Sequence, residues 1–133
     1  MAGPCYPFHN GFMPVRKVTY DQLTPGDPTP GMERKEAVVL PGLWSGLVHT
    51  HAGMTSGWHH HGEHDTIAYV VSGAFRLESG PHGELVTDAR PGDFVHIPAH
   101  VVHREGNPTD EEATVVLVRR GNGPTTVNVP GPA

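Results

Sequence analysis

Between residues 33 and 119, glycine and proline cut the sequence into short apolar runs at nearly regular intervals, and this punctuation constrains the fold more than any other feature. EAVVL (36–40) stops at Pro41-Gly42, and LWSGLVHTH (43–51) stops at Ala52-Gly53. GWHHH (57–61) precedes Gly62, TIAYVVS (66–72) precedes Gly73, and AFRLES (74–79) precedes Gly80-Pro81. ELVTD (84–88) leads to Arg90-Pro91-Gly92, and DFVHI (93–97) reaches Pro98; VVHREG (101–106) and ATVVLVRR (113–120) complete the series. Short runs rich in β-branched residues and bounded by turn residues read as strands. About nine of them, with no helical pattern between, predict an all-β domain built as a two-sheet jelly roll or barrel.

The flanks are different. Pro4, Pro7, Pro14, Pro25, Pro28 and Pro30 crowd the first 31 residues. Proline lacks an N–H and fixes φ, which excludes a long helix or a central strand there. VRKVTY (15–20) is expected to add one edge strand, TPGDPTPG (24–31) to form a turn, and TTVNV near the C-terminus to add another edge strand. The chain therefore divides into an irregular arm (1–31), a single barrel domain (32–120) and a Gly/Pro-rich tail (121–133). A length of 133 residues suits one compact domain, and no internal repeat suggests a second.

A net charge of −5 argues against a nucleic-acid-binding surface, and no run approaches the roughly eighteen apolar residues of a membrane helix. The opening MAGPCYPFHNGF lacks the charged and apolar regions of a secretion signal, so a cytoplasmic location is expected. The single Cys5 cannot form an internal disulfide, and it is expected to be an inert thiol.

Histidine is the unusual residue. The chain has 11, of which seven are His49, His51, His59, His60, His61, His64 and His82. At that abundance chance supplies about one His-x-His pair, so the pair at 59 and 61 needs support from elsewhere. In an extended stretch, side chains alternate faces. His59 and His61 then point the same way, about 6.5 Å apart at Cα, while His60 points away. Two imidazoles at that spacing can converge on one ion, with a third ligand from a distant segment. His49 and His51 share a face of the preceding strand; if that face is interior, His51 is the candidate for proton transfer beside the ion, and if not, both are ordinary surface residues. His96 is expected to make a capping hydrogen bond and His100 to occupy a turn, while Trp58 and Tyr69 are expected to face away from the metal.

These residues resemble the cupin superfamily. Gly53, five residues, His59-x-His61 and a closing Gly73 follow its first motif, and Gly92, Pro98, His103 and Asn107 fall in register with its second. Two slots depart: Thr66 stands where the family usually has a metal-binding Glu, and His100 where it has Gly. The resemblance implies a double-stranded β-helix over roughly residues 37–120 and one divalent metal ion on His59, His61 and His103. Asp65 should face the other way, and His64 in the preceding turn is the alternative fourth ligand. Three neutral imidazoles would leave the full charge of the ion and up to three open positions, which suits chelating anions. Three-His cupins include thiol and diketone dioxygenases. The function so implied is a mononuclear Fe(II) dioxygenase-like enzyme acting on a small anionic chelating substrate, with Fe2+ favoured over Zn2+, Ni2+ or Mn2+. The alternatives are a non-redox cyclase, isomerase or lyase, and a metal-containing binding module without turnover. A homodimer is the expected assembly.

Overall fold

The runs delimited by glycine and proline become strands in a computed structural model that describes residues 14–133. Eleven strands form, β1 (Thr24–Pro25), β2 (Glu33–Leu40), β3 (Leu43–Thr50), β4 (His59–His60), β5 (Asp65–Ser72) and β6 (Phe75–Ser79), then β7 (Leu85–Ala89), β8 (Phe94–Ile97), β9 (His103–Gly106), β10 (Ala113–Arg120) and β11 (Val127–Asn128). They build a six-stranded sheet in the order β1-β2-β3-β10-β5-β8 and a five-stranded sheet in the order β11-β4-β9-β6-β7. Each pairing between them is antiparallel. Two packed antiparallel sheets with long crossovers make the all-β double-stranded β-helix expected above.

The core follows from strand parity. On β3, burial alternates so that Trp44, Gly46, Val48 and Thr50 point inward, and on β10 Ala113, Val115, Leu117 and Arg119 do the same. Val48, Ala68, Val70, Phe75, Val115 and Leu117 have no exposed surface, and Trp44, Leu77, Ala89 and Ile97 complete the cluster. These side chains occupy one part of the space between the sheets. The histidines occupy another.

Two turn positions carry backbone requirements. Gly73 has φ +76°, and a Cβ there would stand 2.7 Å from Ala113 Cα, so the β5–β6 turn needs both the left-handed conformation and the missing side chain. His100, in the slot where the resemblance places Gly, has φ +65°, a conformation that non-glycine residues seldom adopt. It is a turn residue, as read from the sequence.

The arm departs from expectation. VRKVTY forms no strand; Tyr20–Gln22 is a single 3-10 turn, held by Thr19 N donating to Gln22 Oε1 at 3.0 Å. The edge strand forms further along, where Thr24 and Pro25 pair with Glu36 and Lys35. The competing local hydrogen bond explains the shift, because a side-chain acceptor offers the backbone an alternative to a ladder. In the tail, Val127 and Asn128 pair with His60 and His59, the edge strand anticipated from TTVNV. Cys5 and His9 lie outside the described residues. Among those described, no helix is long and apolar enough to cross a membrane.

Candidate metal centre

His59 lies on β4 directly opposite His103 at the start of β9. Parity carries His61 to the same face as His59, and Glu105 to the same face as His103. All four are buried, at 0%, 2%, 1% and 1% exposure for His59, His61, His103 and Glu105. The imidazole centroids are 4.4 to 5.1 Å apart, and one donor atom from each of the four residues lies within 4.8 Å of the others. Glu105 oxygens stand 3.3 Å from His103 Nε2 and 3.8 Å from His59 Nε2. Donors about 2.1 Å from a common ion are separated by about 3.0 Å when adjacent and 4.2 Å when opposite. The two separations fall in that range.

The hydrogen bonds around the rings set their chemistry. His59 Nδ1 donates to Gly57 O at 2.9 Å, His61 Nδ1 to Thr125 O at 2.8 Å, and His103 Nδ1 to Val101 O at 2.9 Å. A carbonyl can only accept, so each neutral ring carries its proton on Nδ1 and turns the Nε2 lone pair to the centre. All three Nε2 atoms and Glu105 Oε2 are buried without a hydrogen-bond partner among the described residues. Buried polar atoms are costly to leave unpaired, and four of them converging on one point fit a divalent ion. Burial holds the His59 and His61 imidazoles neutral, with the Arg119 charge adding to the effect at His61, whose pKa is lowered to about 2. His59 and His61 are therefore ready as neutral donors. Ser56 anchors it from behind, its N and Oγ bonding the backbone of Glu105 at 2.7 and 2.9 Å.

Several sequence expectations are corrected here. The three-His group gains a candidate carboxylate donor from Glu105 on β9, while the slot where the family resemblance places a glutamate holds the buried Thr66. The signal was present in His103-x-Glu105, the same alternation that pairs His59 with His61. His64 lies outside the group of converging donors; its N and Nδ1 both bond to His61 O, at 3.0 and 3.1 Å, within the turn. His51 is not beside the site. Thr50 is the inward residue at the end of β3, so parity turns His51 outward, with its side chain 59% exposed and 3.7 Å from Glu112. His49 points outward with it, to Tyr20 OH and Thr114 Oγ1. Asp65 faces away from the site and bonds His96 at 3.0 Å, which gives His96 its capping role. Asn107 anchors the loop after β9 through Thr50 O and Glu111 O. Trp58 stacks beneath the Arg104 guanidinium, and Tyr69 packs on Phe94, both outside the centre.

Two buried cations escaped the sequence reading. Arg119 is 1% exposed and lies 4.6 Å over the Trp44 ring; Arg34 is 5% exposed and donates to Asp27 O and Thr29 Oγ1. Burial lowers both guanidinium pKa values, that of Arg119 to about 9, against which the Glu105 charge acts.

Residues 39–119 match the family model described as the cupin domain, which is most of the chain. The chain belongs to the cupin family. Among solved structures, this cupin is similar to an uncharacterised double-stranded β-helix protein from Klebsiella pneumoniae, with TM-score 0.70, 19% identity, and 89% of this chain and 93% of the other covered. It is also similar to KdgF from Halomonas sp., with TM-score 0.63, 28% identity, and 82% and 96% covered. An RmlC-like cupin from Shewanella frigidimarina aligns with TM-score 0.65, 21% identity, and 82% and 93% covered. No curated protein matches.

Proposed function

We propose that this cupin is a metal-dependent enzyme that takes a small anionic substrate onto one divalent ion held by His59, His61, His103 and Glu105. The observation that carries the reading is the buried convergence of three unpartnered Nε2 lone pairs and one carboxylate. Together the residues bring a charge of −1, so a bound divalent ion keeps a net +1 and still favours an anion. Four protein donors leave two positions on a six-coordinate ion. The finer reading is a mononuclear Fe(II) oxygenase, and the second is a non-redox isomerase, lyase or cyclase with Zn2+, Ni2+ or Mn2+. When bound, iron supplies electron transfer to dioxygen, whereas the other ions supply polarisation of a coordinated oxyanion.

Glu105 bears on the choice. The three-His argument counted room for a chelating anion and dioxygen together; with Glu105 coordinated, the iron reading requires an anion that binds through one atom. A substrate that binds through two atoms favours the non-redox reading. Elemental analysis of the protein purified without added metal, followed by oxygen-uptake measurements on the iron-loaded form, separates them. Iron with oxygen consumption supports the oxygenase; zinc or nickel with none supports the alternative. A bound ion with no turnover under either condition would leave a metal-containing binding module.

A further inference from the structure

Arg119 is a buried charge with no salt-bridge partner among the described residues. On the inner face of β10 it sits between its ladder partners Trp44 on β3 and Thr66 on β5. Among the described residues, its Nε and Nη1 have no hydrogen-bond partner, and neither does Thr66 Oγ1 on the neighbouring strand. Arg34 Nε, on the inner face of β2, is likewise unpartnered, although the rest of that guanidinium is tied to Asp27 O, Thr29 Oγ1 and Met32 Sδ. Among the described residues, neither arginine forms a salt bridge. Glu36 is engaged by Trp44 Nε1 at 2.8 Å, and Asp27 accepts from Thr125 at 2.8 Å. The buried carboxylate of Glu105 faces two histidines.

An isolated interior cation is expensive unless something pairs with it. Here the imbalance is cumulative. Arg34 and Arg119 contribute +2 and Glu105 −1, so the interior is positive even before a divalent ion raises it further. Gly121, two residues beyond Arg119, packs against Glu63 and His64, and His64 N bonds His61 O, so Arg119 and His61 lie at the same end of the barrel. The Trp44 ring under the guanidinium fixes its plane, and the N–H groups at Nε and Nη1 are each free to donate to an anion oxygen.

We infer that Arg119, with Thr66 beside it and Arg34 adding charge, is the docking point for a carboxylate of the substrate. This rests on the metal-site reading above for its second anchor: the ligand is a small carboxylate whose remaining donor group reaches the ion. Thr66, where the family resemblance places a metal-binding glutamate, thereby becomes part of the anion site. A glutamate there would cancel the charge on Arg119.

The test uses the full chain as purified, with metal content measured alongside, and malonate as probe against the neutral malonamide. The wild type binds malonate and not malonamide in calorimetric titration. Arg119→Gln keeps the metal content and weakens malonate roughly ten- to hundredfold. Arg119→Lys, which keeps the charge and loses the planar guanidinium, falls between. Should Arg119→Gln not fold, the wild type alone decides: malonate must shift at least one arginine Nε–H resonance that is missing from the spectrum of Arg119→Lys. Equal malonate affinity in wild type and Arg119→Gln, or no malonate binding by the wild type, overturns the inference. If Arg119-dependent malonate binding persists in protein that carries no metal, the metal reading fails and the anion site stands.

Discussion

At the scale of single residues, the centre depends on which nitrogen of each ring is free. Three backbone carbonyls take the Nδ1 protons and leave three Nε2 lone pairs turned inward. His61→Ala removes one donor and the ring that Thr125 orients. It is expected to lower bound metal from one ion per chain to a small fraction, with the circular dichroism of the barrel unchanged; an unaltered stoichiometry would refute the assignment. Protonation gives an independent check. In the unfolded chain these imidazoles titrate near pH 6.5, whereas in the folded protein His61 stays neutral down to about 2, and His59 is also lowered. Below about pH 6.5 the unfolded state binds more protons, so stability falls with falling pH, by up to about 1.4 kcal/mol per unit for each imidazole. Chelator-treated protein is therefore expected to lose stability in urea titrations between pH 7 and pH 5. A flat profile would mean that the rings are not held neutral. Glu105→Gln keeps the shape of the side chain but not its charge, and is expected to weaken metal binding about ten- to hundredfold, the range seen when a metal site loses one supporting group. Competition with a chromogenic chelator measures it.

Strands and turns carry the next level of argument. β4 and β9 are short, yet their single register pair, His59 with His103, brings both halves of the ligand set together. A slip of one residue would turn His103 and Glu105 outward and bring Arg104 inward. Arg104 is held outside by the Trp58 ring and by Glu78 at 2.7 Å, which opposes such a slip. The β5–β6 turn is the more fragile element. Gly73→Val places a β-branched side chain at φ +76° and against Ala113, and is expected to destabilise the fold by about 2–4 kcal/mol. Thermal denaturation at constant metal content reads this, and a loss below 1 kcal/mol would show that the turn relaxes easily.

For the molecule as a whole, the chain termini of the barrel matter to the site. β11 pairs with β4, and Thr125 in the same tail accepts the His61 Nδ1 proton. Deleting residues 124–133 removes that acceptor and the edge strand together. The expected outcome is a folded barrel with metal affinity reduced about ten- to hundredfold, measured by the same chelator competition. Unchanged affinity would mean that His61 is oriented without the tail.

Much of this was legible before any coordinates. The strands of the barrel follow from glycine and proline punctuation; β10, read as 113–120, has those bounds in the structure. The shared face of His59 and His61 follows from the period of an extended chain, and two motif registers pointed to His103 as their partner. Other features depend on contacts between distant segments. Glu105 obeys the same alternation as His59 and His61, but only the pairing of β4 with β9 shows that its face is the face of the histidines. His51 and His64 depend on such contacts too, one turned outward by the inward turn of Thr50 and the other lying outside the converging donors. Arg119 reads in sequence as the charged end of a strand. Its burial exists only because the two sheets close over it. Local sequence determined alternation and turns, since those are properties of neighbouring residues; which alternating faces meet, and which charges are sealed between them, was decided by the packing of one sheet on the other.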